Sequence, residues 1–144
     1  MQATLVRVAD AVLQELQSGS FSLPFTAERS YQPRHSPQQL KTLLVSVVPA
    51  GWTSDFASRR SLRRDCVVQV GIQQKLSAEG NGELDPLVAL AQELETHFRQ
   101  LPRLPTVDAV LVNVDALATP CDDDDLDQRR VFTTVLALTF RVLE

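Results

Sequence analysis

Residues 129–143 constrain the fold more than any other segment of the chain. They are rich in β-branched and aromatic residues and contain neither Gly nor Pro, a composition that is typical of a long strand. One side of such a strand carries the large apolar residues Phe132, Leu136, Leu138, Phe140 and Val142. Helices must cover that side. The opposite side is smaller and rich in threonine, and we expect it to face solvent or a neighbouring subunit.

Two segments have the periodicity of amphipathic helices. The first, residues 3–18, repeats apolar residues at helical spacing and is followed by Gly19, which we expect to end the helix in the left-handed conformation. The second is predicted to open at Asp85 and Pro86. Asp accepts hydrogen bonds from free amides, and Pro at the first helical position has no amide to leave unpaired. Pro102 is expected to end it.

Four further segments have the alternating or continuous apolar pattern of strands, namely residues 25–31, 42–48, 66–75 and 106–114. The element order is therefore α-β-β-β-α-β-β. This order predicts an α+β fold, a mostly antiparallel sheet with the two amphipathic helices packed on one face. Residues 52–64 are predicted as a loop or a strand end, so the sequence shows no obviously long β-hairpin arm. A chain of 144 residues is expected to form a single domain over residues 1–144.

Composition and charge exclude several classes of function. The formal net charge of −4 argues against a generic basic nucleic-acid-binding surface. No apolar run approaches the roughly 20 residues of a membrane span, and Asp10 and Glu15 interrupt any signal pattern near the first residue. We therefore expect no contact with a membrane. The two cysteines, Cys66 and Cys121, are interpreted as reduced thiols rather than as a disulfide.

Motifs for catalysis or cofactor binding are missing from the sequence. Gly80-Asn81-Gly82 is not followed by Lys and Ser or Thr, so it is not a phosphate-binding loop. The acidic run after Cys121 lacks the glycine and the terminal glutamate of a calcium loop. Neither cysteine has the surroundings of a reactive thiolate, and His35 and His97 have no evident metal-binding partners. We expect no enzyme activity, no cofactor and no metal.

Opposite charges concentrate in two short stretches, and both are candidates for a subunit or partner interface. The candidate residues are Arg59, Arg60, Arg63 and Arg64 in the first stretch, and Asp122, Asp123, Asp124, Asp125, Arg129 and Arg130 in the second. The simplest interpretation of each is a solvated loop. The alternatives for the arginines are DNA phosphates or an acidic protein surface, and we favour a protein surface, such as the acidic run of a neighbouring copy. Trp52 and Phe56 are candidates either for interface anchors or for core residues.

Residues 127–142, Asp-Gln-Arg-Arg-Val-Phe-Thr-Thr-Val-Leu-Ala-Leu-Thr-Phe-Arg-Val, resemble the closing strand of small neck and tail proteins of tailed bacteriophages. Those proteins end in a run similar to Arg-x-Phe-Thr-Ser-x-Leu-x-Leu-Thr-Tyr. Residues 45–51 and 68–73 and the helix over residues 84–101 are also similar in order and spacing. The matching residues cover most of the chain and all are structural. Within this class the chain most resembles the tail terminator family.

The resemblance implies a structural virion protein without catalytic residues. A tail terminator is a small α/β domain that forms a hexameric ring on the last ring of the tail tube. It stops tube growth and provides the surface on which the DNA-filled head docks. The implied partners are further copies of the chain, the tail tube protein below and a head-completion or stopper protein above. Genomic DNA would pass through without specific binding, and the ring would be assembled in the host cytoplasm as part of the tail or neck.

Three alternatives stay open. The first is another neck component, such as the head-completion or stopper protein. The second is a tail-tube subunit, against which the lack of a long hairpin arm counts. The third is a small hydrolase or nucleotide-binding domain, which the absence of nucleophile, metal and phosphate motifs disfavours.

Overall fold

The computed structural model describes residues 2–31, 42–76, 81–116 and 131–144. Its elements are α1 (Thr4–Ser18), β1 (Thr26–Arg29), β2 (Leu44–Phe56), β3 (Leu62–Lys75), α2 (Asn81–Gln100), β4 (Val110–Ala116) and β5 (Val131–Leu143). The predicted order α-β-β-β-α-β-β and the α+β class are confirmed.

The strands form one sheet in the order β1-β2-β3-β5-β4. Each neighbouring pair is antiparallel except β1 and β2, which are parallel. The closing strand β5 lies between β3 and β4, and it pairs with β3 from Lys75↔Val131 to Arg63↔Leu143. The segment that constrained the sequence prediction most is therefore an inner strand that runs along the whole sheet.

The two helices share one face of the sheet, and the hydrophobic core lies between that face and the helices. α1 packs over β1, β2 and β3, whereas α2 packs over β4 and β5. The core contributions of the two inner strands are Cys66, Val68, Val70 and Ile72 from β3, and Phe132, Leu136, Leu138, Phe140 and Val142 from β5. The alternation predicted for β5 is confirmed, since all five of the large apolar residues predicted for one side are buried on the helix side.

The burial of side chains on the second face of the sheet, opposite the helices, changes along β5. Near the start of β5 it is buried, with Leu44 and Val131 in contact in a small cluster and Gln73 donating a hydrogen bond to Thr133 (3.3 Å). From Val135 to Leu143 the side chains on this face are partly or largely exposed, except that of Ala137, which is buried. The expectation that the threonine-rich side faces solvent or a neighbour therefore holds only for this second half of the strand.

A long β-hairpin replaces the loop predicted for residues 52–64. β2 and β3 pair from Leu44↔Gln73 to Phe56↔Leu62, with a bulge between Pro49 and Gly51. Pro49 and Gly51 suggested an interruption of the strand, but both residue types are tolerated at a bulge and on an unpaired strand edge. That edge of β2 is unpaired among the described residues, because β1 covers β2 only as far as Val47. The prediction that the chain lacks a long hairpin was therefore wrong. β5 follows β3 almost to the hairpin turn, so the hairpin is not a free arm.

The starts of α2 and β4 also differ from the prediction. α2 begins at Asn81, one turn before Asp85, and includes Pro86 in its interior, where the missing amide leaves out one helical hydrogen bond. β4 begins only at Val110, because Asp108 adopts a positive φ of 51° in the preceding turn, a conformation that Asp tolerates better than most residues.

Gly19 ends α1, but not in the left-handed conformation that the sequence suggested. Its φ and ψ are −79° and 160°, which is extended backbone. A Cβ at this position would lie 2.7 Å from two ring carbons of Phe21, so the glycine is needed for the close approach of that ring.

Phe98 provides a test of the core. Its ring is fully buried and makes an edge contact with Phe140, at 6.5 Å between ring centroids. We expect Phe98→Ala to lower the free energy of unfolding by about 3–5 kcal/mol, because it removes a buried ring and leaves a cavity. The matched control is Tyr31→Ala, which truncates a ring that is 67% exposed and should change stability by no more than about 0.5 kcal/mol. Urea denaturation of the three proteins measures both effects, and equal midpoints for Phe98→Ala and wild type would contradict the described core.

Candidate assembly interface

The turn of the β2–β3 hairpin places two of the four candidate arginines at an outer tip. The turn is closed by hydrogen bonds from the amides of Ala57 and Ser58 to the carbonyl of Ser61 (2.9 and 3.2 Å). The hydroxyl of Ser58 accepts further bonds from the amides of Arg60 and Ser61 (3.3 and 3.2 Å). This network fixes the backbone of the turn, and Arg59 and Arg60 are exposed on it. We call the end of the sheet that carries this turn the tip end.

Arg63 and Arg64 are neutralised within the chain. Arg63 forms an ion pair with Asp55 on the opposite strand of the hairpin (3.1 Å). Arg64 pairs with Glu144 (3.0 Å) and also donates hydrogen bonds to the hydroxyls of Thr4 and Ser54 (each 3.2 Å). Its contacts tie the hairpin to the start of α1 and to the residue after β5, which indicates a structural role.

Arg59 and Arg60 differ from these two. In the part of the chain that the structure describes, neither guanidinium takes part in a salt bridge or a side-chain hydrogen bond. The predicted arginine cluster therefore divides into an inner pair with intramolecular partners and an outer pair available to another molecule.

The acidic half of the predicted interface lies outside the described residues. Asp122, Asp123, Asp124, Asp125, Arg129 and Arg130 all fall between β4 and β5, in residues 117–130. Their pairing with the arginines of another copy stays a prediction.

A further ion pair, which the sequence analysis missed, lies on the second face of the sheet near the tip end. Arg141 on β5 donates to both carboxylate oxygens of Asp65 on β3, at 2.9 and 3.1 Å. The hydrogen bonds from Arg141 lower the pKa of Asp65, although partial burial opposes the shift. The same hydrogen bonds raise the pKa of Arg141. The two residues are 76 positions apart, so only the register of β3 with β5 reveals the pair.

Trp52 and Phe56 are surface residues rather than core residues, with 60% and 77% of their area exposed. Both lie on β2 beyond the part that β1 covers, on the side of the sheet that carries the helices, since they pair with Cys66 and Leu62. Of the two roles that the sequence left open, the structure favours the exposed anchor.

Of the groups considered for chemistry, Cys66 and His97 are accounted for by packing, whereas His35 and Cys121 lie outside the described residues. Cys66 is buried in the core, and this burial raises the pKa of its thiol. His97 contacts the carboxylate of Glu15 (2.9 Å) and the rings of Phe21 and Phe98, so it joins α2 to α1. Among the residues with described positions, no three His, Cys, Asp or Glu side chains are grouped as a metal site would require. No described helix is long and apolar enough to cross a membrane.

Comparison with known proteins finds structural similarity at low sequence identity. No protein-family model and no curated protein matches the sequence. Among solved structures, the chain is similar to the cryo-EM structure of the sheath/tube terminator of an extracellular contractile injection system, PVC, in the extended state. The match has 12% sequence identity and a TM-score of 0.43, and it covers 100% of this chain but only 57% of that chain. At these values the similarity does not establish a shared function.

The Asp65–Arg141 pair leads to a prediction about pH. We expect Asp65→Asn to lower the free energy of unfolding at pH 7 by up to about 1 kcal/mol, the range for a partly exposed ion pair. The folded-state pKa of Asp65 lies below its ordinary value of 3.8, so its contribution is fully present above that pH and is lost as pH falls through the lowered value. The difference between variant and wild type should therefore shrink below about pH 4.

Urea denaturation at pH 7 and pH 3 tests this expectation. Asp115→Asn is the matched control, because Asp115 lies on the same face and is hydrogen-bonded to the Asn113 amide (3.0 Å) rather than to an arginine. A stability difference for Asp65→Asn that is equal at both pH values would contradict the described pair.

Proposed function

We propose that this protein is a structural component of a phage-type tail, a tail terminator that forms a hexameric ring, caps the tail tube and ends its growth. In this proposal the ring also provides the docking surface for the head, and it has no catalytic function. The resemblance of residues 127–142 to the closing strand of neck and tail proteins supports this class. In the described part of that segment, the large apolar residues are core residues of β5. The resemblance therefore concerns the fold of the subunit rather than a reactive site.

The observation that carries the proposal is the electrostatics of the second face of the sheet. Arg63 and Arg141 lie on this face near the tip end, and each is paired with an aspartate, Asp55 and Asp65 respectively. Paired guanidinium groups have fewer free donors for phosphate oxygens than unpaired ones. A face of this kind suits the lumen of a ring through which DNA must move without being held.

The outer arginines supply the second element of the proposal. Arg59 and Arg60 at the hairpin turn would contact an acidic surface of a neighbouring copy or of an adjacent ring, with the Asp122–Asp125 run as the candidate partner and Arg129 and Arg130 beside it. Opposite charges at the two sides of a subunit set the register between copies and suppress wrong pairings. The other proposed partners are the tail tube protein below and a head-completion or stopper protein above. The ring would belong to the virion and be assembled in the host cytoplasm.

The mass of the purified protein in solution tests the proposal most directly. Light scattering followed by negative-stain imaging should show a closed ring of six copies with a central hole. Open filaments would replace the terminator assignment by that of a tail-tube subunit. A monomer that binds the end of tail tubes only together with a partner would point to the stopper.

Charge reversal tests the proposed role of the hairpin tip. We expect Arg59→Glu combined with Arg60→Glu to reduce ring formation, because it places negative charge opposite the acidic run. Reversing Asp122–Asp125 to Lys in the same chain should restore it. The control is Lys75→Glu, which reverses an exposed charge at the opposite end of β3. Light scattering over a range of salt concentrations measures the effect, and a double arginine variant that assembles as well as the control would rule out this contact.

A further inference from the structure

Exposed apolar side chains concentrate on the two opposite edges of the sheet. On β2 these are Trp52 and Phe56, and on β4 they are Val110 and Val112, which are 39% and 42% exposed. β4 is the last strand on its side of the sheet. On the other side β1 covers β2 only up to Val47, so the stretch that carries Trp52 and Phe56 has no further strand beside it among the described residues. Large apolar residues exposed in groups mark contact sites more often than single ones do.

Both edge patches lie at the tip end of the sheet. The strand registers align Thr53 on β2 with Asp65, Arg141 and Val110 in one row across the sheet. They also align Trp52 with Leu111 of β4 in the next row. Because three antiparallel steps separate them, β2 and β4 run in opposite directions. Since both patches lie at the tip end and on opposite edges, two copies placed side by side in the same orientation would bring the β2 patch of one next to the β4 patch of the other.

A groove beside β4 has the shape and chemistry to receive an aromatic side chain. It has a volume of about 410 Å³, and its walls include Val110, Val112 and the exposed Leu143 together with Arg7 and Arg103. Arg103 is paired with Asp108, whereas the guanidinium of Arg7 has no ion pair with any residue that the structure describes. An aromatic ring over such a guanidinium gains a favourable cation–π interaction in addition to the apolar burial.

We propose that Trp52 and Phe56 of one copy dock into this groove of the next copy. The partner is a second copy rather than an unrelated protein, because one chain carries both halves of the contact, on opposite edges and at the same end of the sheet. The contact is head to tail, so each subunit uses both halves and the arrangement either closes into a ring or extends as a filament. The expectation of a closed ring rests on the proposed function. The docking contact adds to it the surfaces through which neighbouring copies meet.

Truncating the aromatic residues tests the proposal. We expect Trp52→Ala combined with Phe56→Ala to weaken self-association on the order of thirtyfold, the usual effect of losing a central aromatic anchor. Val112→Glu, on the receiving side, should have a similar effect. Tyr31→Ala is the matched control, because Tyr31 is also a largely exposed aromatic residue, at 67%, but lies outside both patches. Sedimentation or light scattering at several concentrations measures the association, and circular dichroism confirms that each variant is folded.

Cross-linking keeps the test decisive if the wild-type protein associates weakly. In a Cys121→Ser background, a Phe56→Cys chain and a Val112→Cys chain are mixed at high concentration and oxidised. A disulfide dimer should form in the mixture in clear excess over a control mixture of Tyr31→Cys with Val112→Cys. The remaining thiol, Cys66, is buried and does not compete.

The outcomes separate this proposal from the proposed function. A ring that persists in the Trp52/Phe56 variant, or a cross-link no stronger than the control, overturns the docking contact and leaves the terminator assignment standing. A cross-link that forms within open filaments supports the contact and overturns the terminator assignment.

Discussion

The structure depends on the position of β5 between β3 and β4. Because β5 is an inner strand, both of its edges are hydrogen-bonded, and its large residues face the helices along the whole length. α1 and α2 then share one core although they cover different strands. On one side, Phe140 of β5 contacts Phe98 of α2. On the other, Cys66, which pairs with Phe140 across the ladder, belongs to the same core cluster as Val8 and Val12 of α1. Without β5, α2 and β4 would lose their connection to the part formed by α1, β1, β2 and β3, and a single strand with one helix is too small to bury its apolar surface.

The end of β5 also organises the candidate interface. The backbone of Glu144 exchanges two hydrogen bonds of 2.7 Å with Leu62 at the start of β3. Its side chain pairs with Arg64 and contacts the hydroxyl of Thr4, the first residue of α1. The hairpin turn is therefore supported by a third strand and by a helix end. This support explains how a turn with two unpaired arginines can hold a defined position at the edge of the sheet, which is a requirement for a specific contact.

Periodicity predicted the elements because the forces behind it are local. The apolar stripe of α2 and the alternation in β5 follow from helix and strand geometry, and both are confirmed. The boundaries that failed depend on tertiary context. Pro49 and Gly51 indicated a break in β2, but a bulge on an edge strand accepts both, and the sequence does not state where β1 ends its coverage. Likewise Asp85-Pro86 has the signature of a helix start, yet α2 begins one turn earlier, at Asn81.

The candidate site shows the same division between local and tertiary information. The sequence shows four neighbouring arginines, and we interpreted them as one cluster because the sequence alone does not give the register of the strands. In the sheet, strand pairing gives Arg63 an aspartate across the hairpin and Arg64 a glutamate at the end of β5, and it leaves Arg59 and Arg60 at the turn. The same pairing neutralises Arg141 on the second face.

Charge is thus compensated in the Arg63–Asp55 and Arg141–Asp65 pairs on the second face, whereas Arg59 and Arg60 at the hairpin turn have no described ion-pair partner. Apolar exposure is also found at the edges, since Trp52 and Phe56 lie on the part of β2 that β1 does not cover, and Val110 and Val112 lie on the edge strand β4. A subunit whose face is electrostatically quiet and whose edges carry the unpaired groups is suited to contacts with neighbours beside it, rather than to binding a ligand on its face. Head-to-tail contacts between such edges close into a ring or extend as a filament according to the rotation between neighbouring copies.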